Sequence, residues 1–186
     1  MMSRVIIGGI VGAIVLFIWM MVSWMVLPWH GNTIEKFTHP QAVARVIDQN
    51  TPKDGVYMFP CEDCHDGSPE QMREVMMKGP FIYAQVRKGG MDPFSPGLYI
   101  VSFLEGLVGA LFVCYLFRVI ERNKCYIKRV VFAAVFGLVV GILGTVPSWN
   151  WMGGNGCYTI VLIADFVIAY LLLGIVVAGF VKPRES

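Results

Sequence analysis

Four long apolar runs decide what this 186-residue chain can fold into. Val5–Leu27 holds 23 residues without a charge. Gly97–Phe117 is charged only at Glu105, and Tyr158–Val181 only at Asp165. Val130–Val146 is uncharged and stays so through Pro147 to Trp151. At ~1.5 Å per residue, each suffices for a helix across ~30 Å of hydrocarbon. A hydrophobic content of 56% and a mean hydropathy of +0.62 agree with a membrane protein. The expected fold class is therefore an all-α membrane protein with four transmembrane helices and a small α+β extracytoplasmic domain between the first and second. Residues 1–29 would be the anchor, 30–96 the outer domain and 97–186 a three-helix unit.

The cations orient this arrangement. Between the second and third runs lie Arg118, Arg122, Lys124, Lys128 and Arg129 against a single Glu121. Arg4 flanks the first run, and Lys182 and Arg184 follow the last. With four spans all of these fall on one side, which the positive-inside rule makes cytoplasmic. Residues 30–96 are then expected in the periplasm of a bacterium, with both termini inside the cytoplasmic (inner) membrane. The first run is longer than the apolar core of a cleaved leader, and no A-x-A-like site follows it. Pro28-Trp29-His30 reads as the interfacial end of a retained anchor. A net charge of +2, with the cations gathered by topology, points away from nucleic acid. The lipid bilayer is the expected partner.

Within the outer segment, Thr38 and Gln41 stand at capping-box spacing with Pro40 in the first turn, which predicts a helix over about 39–49. Asn50–Gly55 reads as a turn and Val56–Phe59 as a short strand. Ser68 as N-cap and Pro69 at the first position predict a second helix ending near Lys78, before Gly79-Pro80. Phe81–Arg87 is a predicted strand. Such a module is too small to build a generous core, so a haem, a disulfide or the membrane surface would have to help.

That module carries Cys61-Glu62-Asp63-Cys64-His65. C-x-x-C-H is the pattern of c-type haem attachment: two thiols add to the porphyrin vinyls and the adjacent imidazole ligates iron. On this reading Cys61 and Cys64 hold haem c, His65 is the proximal ligand and Met91 the opposing one. Gly89-Gly90-Met91-Asp92-Pro93-Phe94 resembles the Met-Pro loop of small c-type cytochromes. Here, however, Asp92 separates the Met from the Pro, and Met91 follows His65 by only 26 positions. Met72, Met76, Met77, His30 and His39 are other candidates. Three readings compete: a Cys61–Cys64 disulfide favoured by an oxidising compartment, a zinc site lacking its usual second ligand pair, and no role.

Glu105 and Asp165 are the second chemical feature. Glu105 lies eight residues beyond Gly97 and Asp165 seven beyond Tyr158. At ~1.5 Å per residue both sit about 10–12 Å below the outer surface. Two acids at one depth could face each other and share a proton, because burying both charges together is prohibitive. They could serve proton uptake, quinol deprotonation or ion binding, or simply form a neutral interhelical hydrogen bond, with Ser102 or Thr145 as partners. Gly8 and Gly12, like Gly137 and Gly141, have the G-x-x-x-G spacing of close helix packing. Trp24, Trp29, Trp149 and Trp151 read as an aromatic belt at the outer boundary.

Leu27-Pro28-Trp29-His30, Gly55-Val56-Tyr57 with Pro60, Lys78-Gly79-Pro80-Phe81, Pro147-Ser148-Trp149-Asn150-Trp151 and Tyr158-Thr159 with Asp165 occur here in that order. Across nearly the whole chain this order resembles a family of uncharacterised four-span bacterial inner-membrane proteins. The resemblance implies four spans and an outer domain, without an activity. C-x-x-C-H is not among its shared features. No nucleophile elbow, phosphate loop or zinc-protease helix appears, so the expectation is a non-enzyme. The leading expectation is a membrane-anchored, single-haem electron-transfer protein, or a haem-bearing subunit of a respiratory complex. Its rivals are a non-catalytic accessory or scaffold with an envelope partner, and a small transporter acting through Glu105 and Asp165.

Overall fold

Each of the four runs forms one helix in the computed structural model, which describes residues 2–61, 67–119 and 125–182. These helices are α1 (Met2–Met25), α4 (Pro96–Val119), α5 (Tyr126–Trp151) and α6 (Gly156–Val177). All four are long and apolar enough to cross a membrane. Between α1 and α4 come a 3₁₀ turn (Gly31–Thr33), α2 (Pro40–Asn50), β1 (Gly55–Phe59), α3 (Pro69–Lys78) and β2 (Ile82–Val86). The architecture is that of an all-α membrane protein with one small sheet added.

The chain divides into two compact units. The first comprises Met1–Ile34, Pro93–Val146 and Gly156–Ser186, and the second Glu35–Asp92 and Pro147–Asn155. His30 thus belongs with the helices, and the segment after Pro147, inside α5, groups with the segment between α1 and α4.

In the first unit the interior is lined by small and medium apolar side chains, among them Ala110, Val113, Phe117, Ala133 and Leu173. Lipid is as apolar as the helix surfaces, so burial alone does not drive the helices together; contact distance and dispersion do. Both G-x-x-x-G pairs lie at such contacts. A Cβ on Gly12 would fall 2.8 Å from Ala110 Cβ of α4 and 3.0 Å from Leu173 of α6. One on Gly137 of α5 would fall 2.6 Å from the Phe166 carbonyl oxygen of α6, and one on Gly141 3.1 Å from Ile163 Cα. At the far end of α6, side chains cap the last carbonyls. Arg129, 3% exposed, donates from Nε to the Ala178 carbonyl at 3.1 Å and from its second terminal nitrogen at 2.7 Å. Tyr126 Oη donates to the Ile175 carbonyl. A cation there also opposes the helix dipole. Large side chains that remain exposed on the helices, such as Ile18, Val108, Leu143 and Ile160, are those a bilayer would cover.

In the second unit β1 and β2 pair antiparallel, with Tyr57 opposite Ala84. Ser68 Oγ caps α3 by accepting from Gln71 N at 3.2 Å, as its spacing predicts. Gly79, at φ +65°, ends that helix. Both strands and both helices lie within about two residues of their expected bounds. The unit's interior is thin: Pro60 and Thr51 are buried, while Val56, Met58, Phe59 and Ile82 on the sheet stay exposed. Cys61, which follows β1, is disulfide-bonded. The Glu62–Asp66 part of the haem pattern, with Cys64 and His65, lies outside the described residues.

The α5–α6 contact gives a direct test. Gly137→Ala should force the helices apart and cost about 1–3 kcal/mol as over-packing does. Gly144→Ala, whose Cβ would meet nothing within 4 Å, should be neutral or stabilising. Reversible unfolding in detergent–lipid mixtures measures both, and equal effects would refute glycine-dependent packing.

Candidate functional site at the His30–Asp165 pair

Helix α1 ends at Met25, and the chain then doubles back rather than leaving the bundle. Val26 and Leu27 both donate to the Val22 carbonyl, and Asn32 N donates to the Pro28 carbonyl. Thr33 N and Thr33 Oγ1 both donate to the His30 carbonyl. This turn returns His30 to the side of α1, where it is 2% exposed.

The imidazole meets α6 there. His30 Nε2 lies 2.9 Å from Ser23 Oγ and 3.2 Å from Asp165 Oδ2. Trp19 Nε1 donates to Asp165 Oδ1. Trp29 Nε1 donates to Ser23 Oγ at 3.1 Å and to the Ser23 carbonyl at 3.2 Å. Trp24 stacks on the imidazole, with centroids 3.9 Å apart and planes 7° from parallel, and Trp29 meets it edge-on. Asp165 is 4% and Ser23 0% exposed. A carboxyl group seated in an apolar span thus finds two nitrogen donors on α1 and the turn that follows it.

Hydrogen-bond counting fixes the resting tautomer. With the proton on Nε2, the ring donates toward the carboxylate and toward Ser23 Oγ, and Nδ1 keeps a lone pair. With the proton on Nδ1, the Nε2 lone pair would face a carboxylate oxygen. The Nδ1–H would also be buried without an acceptor, at a cost of about 1–3 kcal/mol. The Nε2–H form follows. In either form Nδ1 is a buried nitrogen without a hydrogen-bond partner among the described residues.

The expectation that Asp165 shares a proton with Glu105 gives way to this pairing. Asp165 binds His30 and Trp19, while Glu105 lines a separate cavity with Ser102 and Tyr170. Thr145 Oγ1 instead donates to the Gly141 carbonyl within its own helix. Trp24 and Trp29, expected as belt residues, form the walls of the site. Trp19 and Ser23 had no signal beyond their place in an apolar run. His30 did have one: an acid in a span needs a donor, and this histidine closes the neighbouring span at the same end.

The haem pattern fares differently. A sulfur committed to a disulfide has no thiol to add to a vinyl group, so the oxidised chain does not fit attachment at Cys61. Cys114, Cys125 and Cys157 are free. Met91, in the second unit, is 62% exposed. Among the described residues no group of three or more His, Cys, Asp or Glu side chains could hold a metal ion. Cys125, fully exposed just before α5, has its thiol pKa lowered by the backbone N–H groups of Lys128 and Ile127. Comparison with protein-family models, curated proteins and solved structures finds no match to this chain.

If Asp165 joins α6 to α1 as described, Asp165→Leu should destabilise the helical unit by about 1–2 kcal/mol, the upper range for polar contacts in membranes. Asp165→Asn keeps an acceptor for the Trp19 indole and should lose roughly half as much. Equal losses in an unfolding titration would mean that the indole bond contributes nothing.

Proposed function

We propose that this chain is a proton-coupled protein of the bacterial inner membrane, with both termini cytoplasmic and residues 35–92 outside. His30 and Asp165 form its proton-exchange site in the outer half of the bilayer. The orientation is supported by the cations between α4 and α5. The chemistry rests on one observation: a 2%-exposed imidazole bonded through Nε2 to a carboxylate inside a span, with Nδ1 unpartnered.

A purely structural pin would satisfy both ring nitrogens. Here one nitrogen orients the ring and the other is left free to take a proton. A proton arriving at Nδ1 turns imidazole and carboxylate into an ion pair, whose attraction has to outweigh the cost of a buried Nδ1–H without an acceptor. Among the described contacts, Asp165 is the one titratable group touching the ring; Ser23, Trp24 and Trp29 carry no charge. Ionisable residues inside spans mark ion and proton pathways, and this pair has the geometry for reversible loading.

Infrared difference spectra of the chain in lipid, taken between acid and alkaline buffer, should carry imidazole ring bands and a coupled carboxylate band. His30→Gln should remove the first and shift the second. Spectra of wild type and variant that superimpose would rule out proton exchange at His30.

The electron-carrier reading turns on Cys61. Thioether attachment requires its disulfide to be reduced first, and the proton-exchange reading does not draw on haem. Chain produced alongside a cytochrome c maturation system should give an unstained band on a haem-stained denaturing gel. A stained band that disappears in Cys61→Ser would restore haem c at Cys61, Cys64 and His65 as the centre of function.

A further inference from the structure

Beside the His30–Asp165 cluster, and sharing none of its side chains, the first unit contains a cavity of about 120 Å³ between α1, α4 and α6. Phe17, Phe166 and Tyr170 give it aromatic walls, and Gly106 lines it from α4. Ser102 and Glu105 line one side and are exposed on the surface of α4 within its span, which faces lipid when the helix crosses a membrane. Glu105 forms no hydrogen bond or ion pair within the described residues. A carboxyl group at the lipid face of a span is costly unless something pairs with it.

Size narrows the occupant. An enclosed apolar cavity of about 150 Å³ accommodates benzene, so the space here is on the scale of one six-membered ring. Chemistry narrows it again. An acyl chain would fill the volume but leave the Glu105 carboxyl unmatched. A phosphate group would bring further acceptor oxygens where a donor is wanted. A ring hydroxyl satisfies both demands: the ring packs among Phe17, Phe166 and Tyr170, and the hydroxyl donates to Glu105, with Ser102 and Tyr170 as further hydrogen-bonding groups.

We propose that this cavity is a binding site for a lipid-soluble phenol or benzoquinol, whose ring enters from the bilayer and whose hydroxyl is held by Glu105. The site stands independently of proton exchange at His30, because the two involve different side chains. Loss of either leaves the other intact.

The test uses the full chain in nanodiscs of phosphatidylcholine, which offers no primary amine to compete for Glu105, with tritiated 4-octylphenol as the probe. Binding should be saturable and displaced by unlabelled 4-octylphenol. Octylbenzene, lacking the hydroxyl, and octanol, lacking the ring, should each displace it at least about tenfold less well. Gly106→Leu, which adds bulk at a residue lining the cavity where a Cβ would already touch Leu16, should abolish binding. Glu105→Leu should weaken it about tenfold or more, with His30→Gln unchanged. Equal displacement by octanol would make the cavity an acyl-chain site, and equal displacement by octylbenzene would remove Glu105 from recognition; either overturns the proposal. So does unaltered binding in Gly106→Leu. Should either cavity variant fail to fold, the competition series on the wild-type chain decides alone.

Discussion

A carboxylate placed inside a bilayer has to find its hydrogen-bond donors within the protein, because hydrocarbon offers none. Much of the first unit's arrangement around α6 can be traced to that requirement at Asp165. It is met by an indole on α1 and an imidazole beyond the end of α1. The second donor is available only because the chain turns back after Met25. The 3₁₀ turn at Gly31–Thr33 and the Thr33 bonds to the His30 carbonyl hold it there. An unmet charge at the centre of a span would oppose insertion by roughly 2.5–3.5 kcal/mol, which exceeds what a typical interhelical hydrogen bond returns. Removing that carboxylate would nonetheless leave the Trp19 and His30 nitrogens buried without this acceptor.

Stability of the helical unit comes instead from close approach. Gly12, Gly137 and Gly141 let neighbouring backbones and small side chains come within van der Waals distance. The last carbonyls of α6 are closed by Arg129 and Tyr126. Polar contacts thus hold α6 near its middle, at Asp165, and at its C-terminal end, while small residues of α1 and α5 approach it closely at Leu173, Phe166 and Ile163. Each device satisfies backbone or buried polar groups without water, the condition a bilayer imposes on any protein within it.

The second unit obeys different physics. Its two-stranded sheet leaves apolar side chains exposed on β1 and β2, and its buried residues are few. Two strands alone are marginal in water, and a domain of this size needs a cross-link or cofactor to persist. The disulfide at Cys61 supplies one covalent constraint. The same sulfur cannot serve a haem while it is so bonded, so folding and cofactor attachment draw on one atom. This competition is why a C-x-x-C-H pattern by itself does not decide between a stapled module and a cytochrome.

Much of the fold was legible from local rules. Uninterrupted apolarity marks Val5–Leu27 as a span, because a helix satisfies its own backbone and needs no information from elsewhere in the chain. Ser68 with Pro69, and Gly79 with Pro80, bracket α3 for the same reason: capping is settled within a few residues. The G-x-x-x-G pairs announced close contact but not their partners. What the linear order left open was the pairing of Asp165. Depth made Glu105 its natural counterpart, and only the turn after α1, which carries His30 back against Ser23, brings a different partner 135 positions away. Periodicity and composition report how a segment meets its surroundings. Which side chains meet each other depends on helix rotation, crossing and the path of a loop, and those are properties of the assembled chain.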